Sequence, residues 1–416
     1  MNVKLKLGII GLGARGSSLL KYVVLPMCED NIELVSLCDV YEDRVNAAAE
    51  EAEKVLGKRP FATTDSEKAL TTGIDAVLIS AAWESHIDLA ISAMRKGIYT
   101  GLEVGGAYSV EDCFRLVRTY EETGTHCMLL ENCCYGKREL MALNMVRMGV
   151  LGDIVHCSGG YHHDLREEVA GGKDNRHYRL RNYINRCCEN YPTHELGPIA
   201  KLLGINNGNR MLTLTSTASS AKGLHEYCLA TKGAEHPLSK IAFSQGDVVT
   251  TVIKCAGGQT ITLTLDTTLP RAYSRAFTVR GTKGAYFGET DSVFIDGEHN
   301  QFDFCPEKLW GNAKNYEDTY LDRLWRDYVP KGGHDGMDWL VFSAFVESAL
   351  TGKRPPIDVY DAAAYMVITP LSEESIFRGG VPVAVPDFTN GKWYRRSDIC
   401  DGYYSLDVSG VNKDFV

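Results

Sequence analysis

Five short segments of this 416-residue chain gather side chains that can move protons near neutral pH. They are Glu131–Gly136 (ENCCYG), Gly159–Arg166 (GGYHHDLR), Asn190–Pro198 (NYPTHELGP), Pro270–Arg275 (PRAYSR) and Gly332–Trp339 (GGHDGMDW). Each sets Tyr, His or acidic groups around a short turn. Imidazole titrates near neutrality and can both take and return a proton, which makes His the side chain best suited to such work. A Tyr or His at a turn is also an ordinary structural hydrogen bonder, so residue type alone leaves both readings open.

A sixth segment has a more definite geometry. Gly8–Gly16 (GIIGLGARG) follows the apolar run Leu5–Ile10 and leads into the helix-like Ser17–Val24. Strand, Gly-x-Gly-x-x-Gly and helix in that order place a pyrophosphate on a helix N-terminus. Gly11 permits the tight turn, Gly13 lets backbone approach the phosphates, and Gly16 lets helix and strand pack closely. A second apolar run, Ile32–Cys38, ends at Asp39, whose carboxylate is placed to accept from both hydroxyls of an adenosine ribose. It would repel a 2′-phosphate, so NAD is expected over NADP, and Arg44 softens that preference without reversing it.

The elements around these segments predict two domains, 1–135 and 136–416. In the first, Asp43–Leu56, Ser66–Thr71, Ser85–Gly97 and Val110–Thr123 read as helices. They alternate with extended pieces at Phe61–Thr64, Ala76–Ser80, Gly101–Val104 and Met128–Asn132. That alternation is the pattern of a doubly wound parallel sheet, whose ligands bind beyond the carboxyl ends of the strands. Glu84, His86, Glu103 and Glu131 fall at such ends. After the helix Arg138–Met148, the strand Ile154–Tyr161 and the helix Thr193–Leu203, the chain turns β-rich. Met211–Thr217, Val248–Cys255, Thr260–Asp266, Ala276–Arg280 and Ser292–Ile295 carry the Thr, Val and Ile content of antiparallel strands. Trp339–Leu350 and Ala362–Ser375 read as helices again. The fold class is α/β: an N-terminal Rossmann dinucleotide-binding domain and a C-terminal α+β domain with an open, mostly antiparallel sheet.

Composition narrows the partners. Hydrophobic residues make up 44% and charged residues 24%, as in soluble globular proteins. A net charge of −10 argues against nucleic acid, and no apolar run has the length of a membrane span. Met1–Lys6 runs directly into the first strand and leaves no room for a signal peptide. The thirteen cysteines are odd in number. The adjacent pairs Cys133–Cys134 and Cys187–Cys188 lack the spacing of a zinc clip, so reduced thiols in a cytoplasm and no metal are expected. The open sheet of the second domain needs a cover, which points to a homo-oligomer.

The glycine fingerprint with Asp39, His86 and Glu103 resembles the Gfo/Idh/MocA superfamily of NAD(P)-dependent sugar oxidoreductases over essentially the whole chain. Within it, ENCCYG, GGYHHDLR, NYPTHELGP, GGHDGMDW and the late PLSEESIFRGGVPVAVPDFT, in that order, are similar to glycoside hydrolase family 109, the NAD-dependent α-N-acetylgalactosaminidase group. The resemblance implies redox-neutral cleavage of a small glycoside. The sugar is oxidised transiently at C3, loses its C2 proton, eliminates the C1 substituent, adds water and is reduced again. The ketone spreads carbanion charge, and no carboxylate pair at glycosidase separation is needed.

Carried onto this sequence, the resemblance makes Tyr161 the C2 base and His194 the handler of the C3 hydroxyl proton. Glu131, Arg179, Tyr191 and Tyr273 become sugar contacts. Gly11, Gly13, Ala14, Arg15, Gly16, Asp39 and Arg44 form the cofactor-facing set, extended by Trp83, His86, Glu103 and Asn132. A phenol with an ordinary pKa of about 10 needs nearby positive charge to act as a base at pH 7. Arg166, His163 or the nicotinamide are the candidates for supplying it.

Several positions depart from the family pattern. The superfamily's Glu-Lys-Pro reads Glu103-Val104-Gly105 here, which removes the lysine an ordinary dehydrogenase uses as base. The family's Trp-Arg is Leu180-Arg181, the glycine after the motif histidine is Glu195, and Cys187 and Cys188 replace polar and glycine residues. An added carboxylate at 195 suggests a cationic or unacetylated sugar, and the missing leader suggests a small imported glycoside. Two other functions stay open: a net sugar dehydrogenase or 3-keto-glycoside-processing enzyme, and a non-catalytic NAD-binding sensor.

Overall fold

Six short strands alternate with helices through the first 130 residues and assemble as one parallel sheet. The structure, a computed structural model, describes residues 4–300, 302, 311–396 and 398–408. Residues 1–3, which the sequence reading runs straight into the first strand, lie outside the described set. So do 409–416, at the end of the expected second domain. The strands are β1 (Leu5–Ile10), β2 (Ile32–Cys38), β3 (Phe61–Thr63), β4 (Ala76–Ile79), β5 (Tyr99–Leu102) and β6 (Cys127–Leu129). Their order is β3-β2-β1-β4-β5-β6, so the winding reverses between β1 and β4. That reversal opens a crevice beyond the strand ends. β4 and β5 are buried at every position, as strands covered on both faces must be.

Local chemistry sets the helix ends. Asp65 accepts from the backbone N–H groups of Glu67 and Lys68 to start Ser66–Leu70, and Ser109 accepts from Asp112 to start Val110–Thr123. Gly57 and Gly124 close their helices in the left-handed region.

Two discontinuous units form. The first comprises Met1–Tyr135, Asp327–Ala364 and Ser397–Val408; the second holds Gly136–Arg326 and Tyr365–Arg396. A single cut after 135 places the first break but misses the chain's return. The cause of the return is apolar. Helix Met337–Thr351 is buried on most of its faces, and Phe345 fills the space where a Cβ on Gly101 would stand, 2.9 Å from its ring. Backbone and charge add to this: the Leu129 N–H donates to Ile357 O at 3.0 Å, and Arg354 binds Asp358 and Asp407 at 2.8 and 2.9 Å.

The second unit is built on β7 (Ile154–His162), β8 (Met211–Ala218), β9 (Val248–Cys255), β10 (Thr260–Asp266) and β11 (Thr278–Gly281). β12 (Gly284–Phe287), β13 (Ser292–Ile295), β14 (Gly311–Asn312) and β15 (Val383–Ala384) complete it. The order is β14-β13-β12-β11-β7-β10-β9-β8-β15. β7 pairs with β10 in parallel and with β11 antiparallel, so the sheet is mixed. Along β10, Ile261, Leu263 and Leu265 point into the core while threonines alternate outward. Helix Thr193–Leu203 packs on the inner side of β7, where a Cβ on Gly159 would lie 2.8 Å from that of Glu195. The glycine is what lets helix and strand approach there.

Several boundaries differ from the sequence reading. The strand expected at Ala276–Arg280 begins at Thr278, because Ala276 sits at φ +45° and breaks the extended run. The expected helix Ala362–Ser375 is two, Val359–Met366 and Ile368–Phe377. β6 stops at Leu129, where Glu131 Oε1 accepts from the Cys133 N–H and bends the chain into a 3-10 turn, Asn132–Tyr135. All described cysteines are free thiols, and no described helix is long and apolar enough to cross a membrane.

Candidate active site

In the first unit the glycine turn has the geometry a dinucleotide requires. Gly11 is at φ +99°, and a Cβ there would lie 2.4 Å from the Ala81 nitrogen. A Cβ on Gly16 would lie 2.0 Å from Gly11 O, so helix Ala14–Leu19 closes on β1 only without one. The Cβ position of Gly13 meets nothing nearer than the Arg44 guanidinium at 3.5 Å, which leaves that face of the turn open. Asp39 is 5% exposed at the end of β2. Its Oδ2 accepts from Leu12 N–H at 2.7 Å and its Oδ1 from Tyr41 N–H at 3.0 Å, with Arg44 Nη1 3.9 Å away. The turn fixes the carboxylate while its remaining lone pairs suit ribose hydroxyls, so these residues fit an NAD.

The other cofactor-facing positions are internally tied. The Arg15 guanidinium binds Glu103 Oε1 at 2.9 and 3.1 Å and both Asp338 oxygens at 2.6 and 2.9 Å. Asp338 also accepts from Asn132 Nδ2 at 2.7 Å and sits 2.9 Å from His334 Nδ1. Arg15, Glu103 and Asn132 therefore brace the crevice through their side chains. Asp338 is the centre of the group, and the sequence reading singled out its motif without assigning it this role. Val104 is buried, and Gly105 leaves room for Trp83, since a Cβ there would lie 2.4 Å from the indole. His86 is buried beneath the loop with Nε2 2.9 Å from Ala81 O, and burial pulls its pKa down to about 4, so its ring is neutral.

The second unit gathers the remaining motif residues into one ring cluster. Tyr161, 5% exposed near the end of β7, packs at a 38° tilt against Tyr191 with centroids 4.4 Å apart and contacts His194 edge-on at 5.6 Å. Its hydroxyl lies 3.1 Å from His163 Nδ1, and the Tyr191 hydroxyl lies 3.4 Å from His194 Nε2. Tyr273 stands edge-on to His163 at 5.2 Å and to Tyr161 at 6.5 Å. Arg179, from helix Arg179–Asn185, lies 5.0 Å over the Tyr191 ring and pairs with Glu168 at 3.2 Å. Tyr161, Arg179, Tyr191, His194 and Tyr273 are thus brought together, while Glu131 belongs to the first unit and is buried there.

Neither side chain expected to supply positive charge to the phenol does so. Arg166 turns away: Asp164 holds its guanidinium at 2.7 and 2.8 Å, and it lies over Tyr227. His163 is within reach, but burial and the Arg179 charge lower its pKa, so it offers a neutral nitrogen. Arg179 is the cation beside the phenol. Burial raises the Tyr161 pKa, the charge and hydrogen bond of Arg179 oppose this, and Glu168 and Glu195 add to the rise; the net shift is upward. Glu168, which the sequence reading missed, carries no motif signal beyond its position just after GGYHHDLR.

Two family descriptions match. "Oxidoreductase family, NAD-binding Rossmann fold" covers residues 5–130, and "Glycosyl hydrolase 109, C-terminal domain" covers residues 135–395. A glycosyl hydrolase family 109 protein of Stenotrophomonas maltophilia is 40% identical over 96% of this chain and 93% of its own length.

The chain belongs to glycosyl hydrolase family 109.

A relative described as an alpha-N-acetylgalactosaminidase, from Tannerella forsythia, is 36% identical over 94% of this chain and 88% of its own length. An inositol dehydrogenase homolog from Azotobacter vinelandii, solved with NAD+, shares the fold with a TM-score of 0.66. It is 16% identical and covers 92% of this chain and 97% of its own. The family 109 chain is thus an enzyme on the Gfo/Idh/MocA scaffold, with an NAD-binding Rossmann domain and NAD as its cofactor.

Proposed function

We propose that this enzyme cleaves a small glycoside without net oxidation, by elimination from a sugar oxidised transiently at C3. Bound NAD supplies the reversible storage of the C3 hydrogen. The protein's part is proton transfer and orientation. His194 takes the C3 hydroxyl proton and returns it at the end of the cycle. Tyr161 removes the C2 proton, the step that expels the C1 substituent, and returns one after water adds at C1. The acceptor is the phenolate form of Tyr161, which Arg179 favours before the transfer and which becomes the neutral phenol on taking the proton, and Tyr191, Tyr273 and Glu131 contact the sugar. The packed set of Tyr161, Tyr191, His194 and Arg179 carries this reading: a phenol, an imidazole and a cation share one buried cluster.

Glu195 is 1% exposed, and its charge acts on Tyr161, which supports a cationic or unacetylated sugar as the glycone. The free thiols support a reducing cytoplasm, and exposed Val155, Leu212 and Val252 on the sheet support a homo-oligomer. Aryl glycosides varied at C2, C4 and anomeric configuration test the function. Purified enzyme should release the aryl group from at least one of them with no net absorbance change at the nicotinamide band. Stoichiometric build-up of reduced cofactor would make it a dehydrogenase, and no turnover across the panel would make it a sensor.

A further inference from the structure

His162 follows Tyr161 on β7 and takes no part in the ring cluster. Side chains alternate along a strand, so it points to the sheet face opposite Tyr161. It is 9% exposed, and among the described residues neither ring nitrogen has a hydrogen-bond partner. The ring folds back over Gly160, where a Cβ would lie 2.1 Å from its Nε2. Opposite it on β10 stands Asp266. The Asp266 Oδ1 is also buried and unpartnered, while Oδ2 accepts from Arg271 Nη1 at 2.6 Å. Buried polar atoms without partners are rare in native proteins and call for a reason.

The surrounding charges decide what can fill the gap. Three groups face the imidazole: Asp266 from β10, Arg271 from the segment 270–275, and Glu289 from the turn after β12. The Arg271 cation opposes a metal ion and the two carboxylates oppose an anion, which leaves the proton. Burial and the Arg271 charge pull the His162 pKa below its usual value near 6.5, against Asp266 and Glu289. The ring is therefore neutral at pH 7 and gains its charge on the acid side. Once charged, it has Asp266 Oδ1 as a partner and Arg271 as a like charge, and both effects weaken the hold of Asp266 on Arg271. That hold bears on Tyr273. The segment 270–275 joins β7 through the bridge between His162 and Ser274 and through Gly160 N–H, which donates to Arg275 O at 2.7 Å. Its charged anchors are Arg271 on Asp266 and Arg275 on Glu139, each at 2.6 Å. Tyr273 lies between them in sequence, edge-on to His163 and Tyr161.

We propose that His162 is a proton-dependent positioning residue: on taking a proton it draws Asp266 from Arg271 and lets the segment that carries Tyr273 leave the ring cluster. The consequence for the sugar rests on the reading of Tyr273 as a sugar contact; the release of the segment does not. Two readouts keep them apart. Amide hydrogen exchange of the NAD-loaded enzyme, corrected for its intrinsic pH dependence, follows the segment through the Ser274 and Ala276 amides, which donate to His162 O and Ser274 Oγ. Between pH 7.5 and pH 5.5 wild type should lose about tenfold or more of the protection at these amides. His162→Phe, which keeps a neutral ring over Gly160, should hold that protection, and so should the smaller His162→Gln. Arg271→Met should show the low protection at both pH values. Kinetics on a glycoside from the aryl panel follow the sugar. The wild-type KM should rise about fivefold over the same pH range, the loss of one sugar hydrogen bond, while that of His162→Phe stays flat. The ratio of kcat between the two enzymes should stay constant. Constant protection in wild type, or an equal fall in wild type and both His162 variants, would overturn the proposal whether or not any glycoside turns over. Release of the segment without a rise in KM keeps the proton-dependent anchor and removes Tyr273 as a sugar contact.

Discussion

Arg15→Met tests whether the charged brace of the first unit is structural. The guanidinium is the cation shared by Glu103 and Asp338, whose side chains are 5% and 1% exposed. Methionine keeps much of the apolar stem and leaves two buried carboxylates, of which Asp338 keeps its contacts with Asn132 and His334. Breaking one side of a buried ion pair costs about 3–5 kcal/mol. Arg15 is itself 28% exposed, which places the expected loss near the lower end, about 3 kcal/mol. For a unit of this size each kcal/mol lowers Tm by roughly 2–4 °C, so the fall should be roughly 6–12 °C. The pH dependence has a definite sign. Burial pushes the Asp338 carboxyl up, but the hydrogen bonds from His334 and Arg15 and the Arg15 charge reverse this and hold it well below the usual carboxylate range. A depressed carboxylate stabilises the native state at pH values above its unfolded pKa of about 4, and that stability fades as pH falls. The Arg15→Met deficit should therefore be fully present at pH 7 and smaller at about pH 2.5, below that unfolded value. Thermal unfolding at both pH values measures it. A Tm within 2 °C of wild type at pH 7, or an equal deficit at both, would refute the reasoning.

The cofactor turn and the phenol yield two more expectations. Asp39→Asn should lower the preference for NAD over NADP at least tenfold, about 1.4 kcal/mol, in fluorescence titrations of both cofactors; an unchanged ratio would free Asp39 of the ribose role. Burial and the Glu168 charge raise the Tyr161 pKa while Arg179 lowers it, with Glu195, His163, His194, Tyr178 and Tyr191 also facing the ring or its charge. Glu168→Gln should move the alkaline rise of C2–H exchange to lower pH and Arg179→Met to higher pH. Superimposable profiles would show that neither charge acts on the phenol.

Much of the first unit was readable because its signals are local. A strand, three glycines and Asp39 lie within forty residues, and alternating apolar runs mark the remaining strands. The return of Asp327–Ala364 to that unit was not readable, because its cause is the fit of Phe345 over Gly101, a contact between distant segments. In the site, Tyr161, Tyr191, His194 and Tyr273 stood out by motif. Their mutual packing depends on Gly159 admitting a helix against β7, which spacing alone does not reveal. Arg166 was the nearest arginine in sequence to Tyr161, yet Asp164, two residues away, takes it. The cation that reaches the phenol comes from a separate helix. Strand β11 began late for an equally local reason, the left-handed turn at Ala276, and alanine gives no warning of such a conformation.

The central claim is that Tyr161 removes the C2 proton. Tyr161→Phe keeps the ring in its packing and removes only a hydroxyl bonded to His163 and Arg179, each bond worth about 1 kcal/mol, so the protein should fold and bind NAD as before. In deuterated buffer, with a glycone cleaved in the aryl panel, wild type should exchange the C2 hydrogen. The variant should lose that exchange by about 100-fold or more. Exchange at the wild-type rate in a folded, NAD-loaded Tyr161→Phe enzyme would contradict the account.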